Sequence, residues 1–122
     1  MCKRIMVLDD DLAILEAIKD ILQYYGYDVK TLSRGDKLFE KINEYHPDLI
    51  LLDVMLAGLD GRELCKNIKQ TEDVKDIPVI LISASHNLAA SLLQNGAPDD
   101  FIAKPFDMMN LIDKVEYHLN AA

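Results

Sequence analysis

The 122-residue sequence has few of the features that mark several large classes of protein. Its two cysteines, Cys2 and Cys65, lack CxxC spacing, so we interpret both as reduced, mostly buried thiols with no disulfide or metal role. No apolar run approaches the roughly 20 residues that cross a bilayer, and no signal-peptide core follows Met1. These absences predict a cytoplasmic domain with no membrane contact.

Positive charge is also scarce. The chain has 13 Lys and Arg residues against 21 Asp and Glu, which gives a formal net charge of −8. Nucleic acid and anionic membranes would not be attracted to such a domain, so direct binding to either is not expected. The length suits a single domain over residues 1–122, with a core over about residues 3–119. Any output domain would lie outside this sequence.

Short apolar runs alternate with amphipathic stretches along the chain. The runs predict five strands, over residues 4–9, 27–32, 48–53, 77–83 and 101–103. Helical spacing of apolar residues predicts helices over residues 12–25, 60–69, 87–94 and 108–119, and a further helix after Ser33 whose apolar face is Leu38, Phe39, Ile42 and Tyr45. Gly26 is expected to end the first helix and Ser33 to cap the second. Five such βα units predict an α/β, doubly wound, three-layer sandwich around a parallel sheet.

Charged residues stand at the ends of three of the predicted strands. Asp9 and Asp10 follow the first strand, Asp53 ends the third, and Lys104 follows the fifth. The carboxyl ends of parallel strands share one edge of the sheet, where ligands bind, so these residues are expected to meet in one pocket. Converging carboxylates repel one another unless a cation joins them, and a hard divalent ion prefers oxygen ligands. The sequence therefore predicts a magnesium-dependent phosphoryl site.

Simpler roles are expected for other polar residues. Asp11 is interpreted as a helix cap, because an aspartate between a strand and a helix commonly accepts the first N–H groups of that helix. The histidines at positions 46, 86 and 118 are interpreted as incidental.

Four segments, taken in order, resemble the receiver domain of two-component response regulators. They are Val7–Asp11, Leu51–Gly61, Leu81–Ala84 and Phe101–Phe106. The resemblance covers almost the whole chain, and four motifs in the right order are far more specific than any one of them. It implies the flavodoxin-like receiver fold, with a five-stranded parallel sheet in the order 2-1-3-4-5.

The resemblance also implies roles for individual residues. Asp53 would be the phosphoacceptor, and Lys104 and Ser83 would contact the phosphoryl group. Phe101 would be the switch residue, an aromatic ring that moves inward when the Ser83 hydroxyl moves. The peptide bond between Lys104 and Pro105 would be cis.

The metal implied by the resemblance is Mg²⁺. Its ligands from the protein would be Asp10, Asp53 and the backbone carbonyl of Met55, with Asp9 acting mainly through water.

The resemblance implies a phosphoacceptor and switch domain, not an enzyme. A sensor histidine kinase or phosphotransfer protein would supply the phosphoryl group from a phosphohistidine, and an output domain or effector that the sequence leaves open would respond. One alternative is an aspartyl-phosphate hydrolase, but such enzymes usually carry a second aspartate where this chain has Met55. The other is a constitutive interaction module, which the full set of site residues disfavours.

Overall fold

The computed structural model describes residues 2–56, 58–83 and 97–120, in which strands and helices alternate. The strands of the main sheet are β1 (Arg4–Leu8), β2 (Asp28–Leu32), β3 (Leu49–Asp53), β6 (Val79–Ser83) and β7 (Asp100–Ala103). A short hairpin consists of β4 (Met55–Leu56) and β5 (Leu59–Asp60). The helices are α1 (Leu12–Tyr24), α2 (Leu38–Tyr45), α3 (Gly61–Lys69) and α4 (Met108–Asn120). The helix predicted over residues 87–94 lies outside the described residues.

The main sheet is parallel throughout and has the order β2-β1-β3-β6-β7. Counted along the chain without the hairpin, this is the predicted order 2-1-3-4-5, so the doubly wound fold is confirmed. The order reverses between β1 and β3, and a crevice at the carboxyl ends of those two strands is where such sheets bind ligands.

Two apolar layers enclose the sheet. All five residues of β3 are buried, as expected for a central parallel strand covered on both faces. Helices α1 and α4 pack on one face, where Leu15, Ile18, Leu111 and Val115 contribute to the core. Helices α2 and α3 cover the other face. The predicted three-layer sandwich is therefore confirmed.

Most of the predicted helix ends agree with the structure. Asp11 caps α1, and its Oδ1 accepts the N–H groups of Ala13 and Ile14 at 2.9 and 3.3 Å. Helix α1 ends before Gly26, as predicted. Helix α3 begins one residue later than predicted, because Asp60 is its cap and accepts the N–H of Arg62 at 2.9 Å.

Two local predictions are wrong. Ser33 does not cap α2, which begins at Leu38 after the N-cap residue Lys37. The chain bends at residues 33 and 35 and turns at residues 36 and 37, where the N–H of Leu38 is donated to the carbonyl of Gly35 at 3.2 Å. Cys2 is exposed, not buried, because it precedes the first strand, whereas Cys65 lies in the core as expected.

Candidate functional site

The fold brings charged residues from three strands together at the carboxyl edge of the sheet. Asp9 follows β1, Asp53 ends β3 and Lys104 follows β7. Asp9 and Asp53 are buried, with 0% and 3% of their surface exposed. Nζ of Lys104 lies 3.3 Å from Oδ2 of Asp9 and 3.3 Å from Oδ2 of Asp53. A single ammonium group is thus shared by two buried carboxylates.

The ionisation of Asp53 reflects this crowding. Burial, and then the negative charge of Asp9, raise the pKa of Asp53 to about 6, although Lys104 acts in the opposite direction. Burial alone would lower the pKa of Lys104, but Asp53 and Asp9 together raise it, so its ammonium remains charged. The site therefore keeps more negative charge than one lysine neutralises.

Asp10 adds a third carboxylate at the rim. It is exposed, and one oxygen from each of Asp9, Asp10 and Asp53 can be chosen so that all three lie within 4.8 Å of one another. Oδ1 of Asp9 accepts the N–H of Asp11 at 2.9 Å, and the N–H of Asp9 is donated to the carbonyl of Leu32 at 3.1 Å. These bonds hold the carboxylate of Asp9 in place, while the carboxylate of Asp10 faces solvent.

The ends of β6 and β7 form the opposite wall of the site. Ser83 is buried at the end of β6 and is paired with Ala103. The N–H of Lys104 is donated to the carbonyl of Ser83 at 2.7 Å, and the peptide bond between Lys104 and Pro105 is cis. Phe101 lies two residues before Ala103, half-buried against the core on the α2 and α3 side. Because strand side chains alternate, Ser83 and Phe101 lie on the same face of the sheet.

The segment after Asp53 turns back towards it. The N–H of Met55 points at Oδ1 of Asp53, 3.4 Å away, and the N–H of Val54 is donated to the carbonyl of Ile82 at 2.9 Å. The side chain of Met55 is exposed at the edge of the site. Gly58, in the turn of the hairpin, has φ +74°, which favours glycine.

A second charged cluster joins β7 to α4, and the sequence interpretation missed it. Nε2 of His118 lies 3.0 Å from Oδ2 of Asp100, while Lys114 Nζ lies 3.0 Å from Oδ1. Burial favours the neutral acid, but His118 and Lys114 outweigh it and lower the pKa of Asp100. The spacing of the two basic residues, four apart on one helix face, was the available signal. His118 is therefore not incidental, although it lies outside the acidic pocket.

The fold and the acidic pocket define a doubly wound α/β domain with a candidate metal and phosphoryl site at its topological switch point. A family model described as the response regulator receiver domain matches residues 5–116. The chain therefore belongs to the receiver domains of two-component response regulators.

Several characterised proteins resemble the chain. Response regulator MprA of Mycobacterium ulcerans is 35% identical over 117 residues, which cover 94% of this chain and 49% of that protein. The chain spans about half the length of the curated relatives it matches. No helix in the part that the structure describes combines the length and the apolar character needed to cross a membrane.

Solved structures with the same fold match almost the whole chain. The signal receiver domain of a histidine kinase from Syntrophus aciditrophicus has a TM-score of 0.90 and 30% identity, and the match covers 99% of this chain and 92% of that one. Response regulator TrrA of Thermotoga maritima, solved in complex with Mg²⁺ and BeF, has a TM-score of 0.84 and 32% identity, with 95% and 98% covered. The predicted fold family is thus confirmed.

Proposed function

We propose that the chain accepts a phosphoryl group on Asp53 and uses it to switch a protein-interaction surface. The observation that carries this proposal is the buried carboxylate of Asp53, with its Oδ2 3.3 Å from the ammonium of Lys104 at the end of the central strand. A carboxylate in this position can act as a nucleophile, and a fixed cation beside it can neutralise charge on an incoming phosphoryl group.

The transfer exchanges one bond to phosphorus for another. An oxygen of Asp53 forms the new O–P bond while the N–P bond of a phosphohistidine breaks, and the imidazole leaves with the bonding electrons and takes a proton. The donor is a sensor histidine kinase or a phosphotransfer protein. Lys104 follows the transferred oxygens, since its ammonium sits on a flexible stem and already contacts Asp53. Ser83, buried at the end of the next strand, is the proposed hydroxyl donor to the phosphoryl oxygen.

The donor set at the site fits Mg²⁺. Asp9, Asp10 and Asp53 supply hard oxygen ligands, and the excess of carboxylates over lysine leaves negative charge for a divalent cation to neutralise. Asp10, Asp53 and the backbone carbonyl of Met55 are the proposed protein ligands, with Asp9 acting mainly through water. When bound, Mg²⁺ would supply charge neutralisation for the phosphoryl oxygens.

Ser83 and Phe101 form the proposed switch. They lie on the same face of adjacent strands, and the Phe101 ring is half-buried, so a small inward movement of the hydroxyl can open space for the ring. Phe101 has no hydroxyl to hold it at the surface, which lowers the cost of the inward state. The surface that changes would be read by an output domain or an effector protein.

The same observations weigh against a hydrolase. A turnover enzyme usually carries a second aspartate as general acid two residues after the nucleophile, and this chain has the exposed thioether of Met55 there. We propose slow self-dephosphorylation only. Residues 1–122 are proposed to act as a single cytoplasmic receiver domain that does not bind nucleic acid or membrane itself, in keeping with its net charge of −8.

Intact mass spectrometry tests the proposed phosphoacceptor. The chain, incubated with a small acyl phosphate and Mg²⁺, should gain one phosphoryl group, and Asp53→Asn should abolish the gain. The control is Asp113→Asn, which alters an exposed carboxylate on α4 and should be modified like the wild type. Persistent modification of the Asp53→Asn variant would show that another residue is the acceptor.

A further inference from the structure

Gly61, the first residue of α3, lies against the backbone of Asp53. A Cβ atom added at Gly61 would be 2.1 Å from the carbonyl oxygen of Asp53 and 2.8 Å from Cα of Val54. Real Cβ atoms essentially never approach other atoms more closely than 3.0 Å. Any side chain at this position would therefore require the start of α3 and the backbone of the proposed phosphoacceptor to move apart by about 1 Å.

The same glycine closes the loop that begins at Asp53. Its N–H is donated to the carbonyl of Val54 at 2.8 Å, so the hairpin β4–β5 starts and ends at the end of β3. Met55 is the first residue of that hairpin, and its N–H points at the carboxylate of Asp53. The carboxylate of Asp53 and the carbonyl of Met55 are thus both set by how closely α3 approaches β3.

We infer that Gly61 is a positioning residue for phosphorylation, because its missing side chain lets α3 dock on the peptide of Asp53 and so fixes the carboxylate of Asp53 and the carbonyl of Met55. The inference rests on the proposed function of Asp53. Gly61 has no contact with the phosphoryl group in this role and acts only through its two neighbours.

Two other glycines near the same loop lack this contact and provide matched controls. A Cβ at Gly35 would meet only the ends of flexible side chains, Leu64 Cδ1 at 2.9 Å and Leu59 Cδ1 at 3.0 Å. A Cβ at Gly58 would meet nothing within 4 Å, although φ is +74° there. Gly35→Ala therefore tests crowding near the loop, and Gly58→Ala tests strain in the hairpin without contact to Asp53.

The experiment compares Gly61→Ala with both controls by two readouts. Binding of Mg²⁺ alone is followed by amide chemical shifts, and phosphorylation by intact mass with a small acyl phosphate. We expect Gly61→Ala to slow phosphorylation about 100-fold, a loss that a displacement near 1 Å can cause, and to weaken Mg²⁺ binding at least about tenfold. In each control variant, the rate of phosphorylation and the affinity for Mg²⁺ should stay within about threefold of the wild type. A folded Gly61→Ala variant with wild-type affinity and rate would overturn the inference.

If Gly61→Ala does not fold, hydrogen exchange in the wild type tests whether Gly61 positions the site. Mg²⁺ at ten times its Kd should slow exchange of the Gly61 amide about tenfold, because the loop must leave the metal site to open. The Gly35 amide should be unchanged. Equal exchange at Gly61 with and without Mg²⁺ would show that the close approach serves packing only. A wild-type chain that neither binds Mg²⁺ nor accepts phosphoryl would instead refute the proposed function.

Discussion

At the amino edge of the sheet, charge is paired, whereas at the carboxyl edge it is crowded and unbalanced. Lys69, at the end of α3, donates to Oδ2 of Asp99 at 2.6 Å and to the carbonyls of Ile77 and Lys75 at 2.8 and 3.3 Å. At the other edge, Asp9 and Asp53 share the ammonium of Lys104, and Asp10 adds a third carboxylate close to them. The Lys69 and Asp99 cluster thus stabilises the fold. The crowded carboxylates at the other edge of the same sheet lower its stability and form the candidate phosphoryl site.

Asp99 also makes hydrogen bonds to the backbone at the amino edge. Its Oδ2 also accepts the N–H of Val79 at 2.8 Å, and the N–H of Asp99 is donated to the carbonyl of Val79 at 2.8 Å. One ion pair therefore joins the end of α3 to the starts of β6 and β7. At the carboxyl edge, burial and the nearby charge of Asp9 instead raise the pKa of Asp53.

Lys69→Met should give the largest change in stability. It leaves the carboxylate of Asp99 and two carbonyls without their shared donor, which should lower the free energy of unfolding by roughly 2 to 3 kcal/mol. Breaking a fully buried ion pair costs about 3 to 5 kcal/mol, and the loss here should be smaller because Asp99 is partly exposed. Urea denaturation measures it.

Lys75→Met is the matched control at the same edge. Its ion pair with Glu72, at 3.1 Å, is exposed, so the loss should be below about 1 kcal/mol. Equal losses in the two variants would mean that the Lys69 cluster is no more than a surface ion pair.

Asp53→Asn should stabilise the protein, in contrast to Lys69→Met. Without metal, removing one of the crowded carboxylates should raise the free energy of unfolding at pH 7 by roughly 2 kcal/mol, since one pKa unit corresponds to about 1.4 kcal/mol and part of the repulsion belongs to Asp9. Asp113→Asn, on the exposed surface, should change it by less than about 0.5 kcal/mol. A destabilised Asn variant would show that Asp53 is not under electrostatic strain.

The same carboxylate predicts a pH dependence. Its folded pKa, about 6, lies above the ordinary value of 3.8, so its stabilising contribution is complete below pH 3.8 and is lost as pH rises through 6. Metal-free wild type should therefore lose stability between about pH 4 and pH 6 relative to Asp53→Asn. Asp60 and Asp100, whose pKa values are lowered, lose their contributions only at more acidic pH. Parallel curves for the two proteins would contradict the assignment.

Magnesium should give the smallest of these changes and should act at the carboxyl edge alone. At ten times its Kd, Mg²⁺ should stabilise the wild type by about 1.4 kcal/mol and raise the melting temperature. Asp10→Ala should remove that gain. Asp11→Ala is the neighbouring control, because it removes the cap of α1 and lowers the starting stability by about 1 kcal/mol but leaves the magnesium effect intact. An equal gain in Asp10→Ala would place the metal elsewhere.

The sequence was sufficient to predict the parts of the molecule that depend on periodicity and topology. The uninterrupted apolar runs of β3 and β6 identify strands covered on both faces, and parallel strands bring their carboxyl ends to one edge whatever the distance in sequence. That is why Asp9, Asp53 and Lys104 could be assigned to one pocket before their distances were known.

The missed features depend on contacts that periodicity does not encode. The strands β4 and β5 have two residues each, too few to show alternation. Lys69 and Asp99 lie 30 residues apart in sequence, and only the packed fold brings them together. Ser33 has the chemistry of a helix cap, but the chain turns after it, with the N–H of Leu38 donated to the carbonyl of Gly35, and α2 begins only at Leu38.

The position of Asp100 has a consequence for self-association. Strand β7 is one of the two edge strands of the parallel sheet, and a strand edge can template pairing with another chain. Oδ1 of Asp100 accepts the N–H of Phe101 at 2.8 Å, and Lys114 and His118 hold the carboxylate there. A half-buried charged cluster therefore occupies a backbone donor at the start of this edge, which opposes strand addition and the aggregation that follows from it.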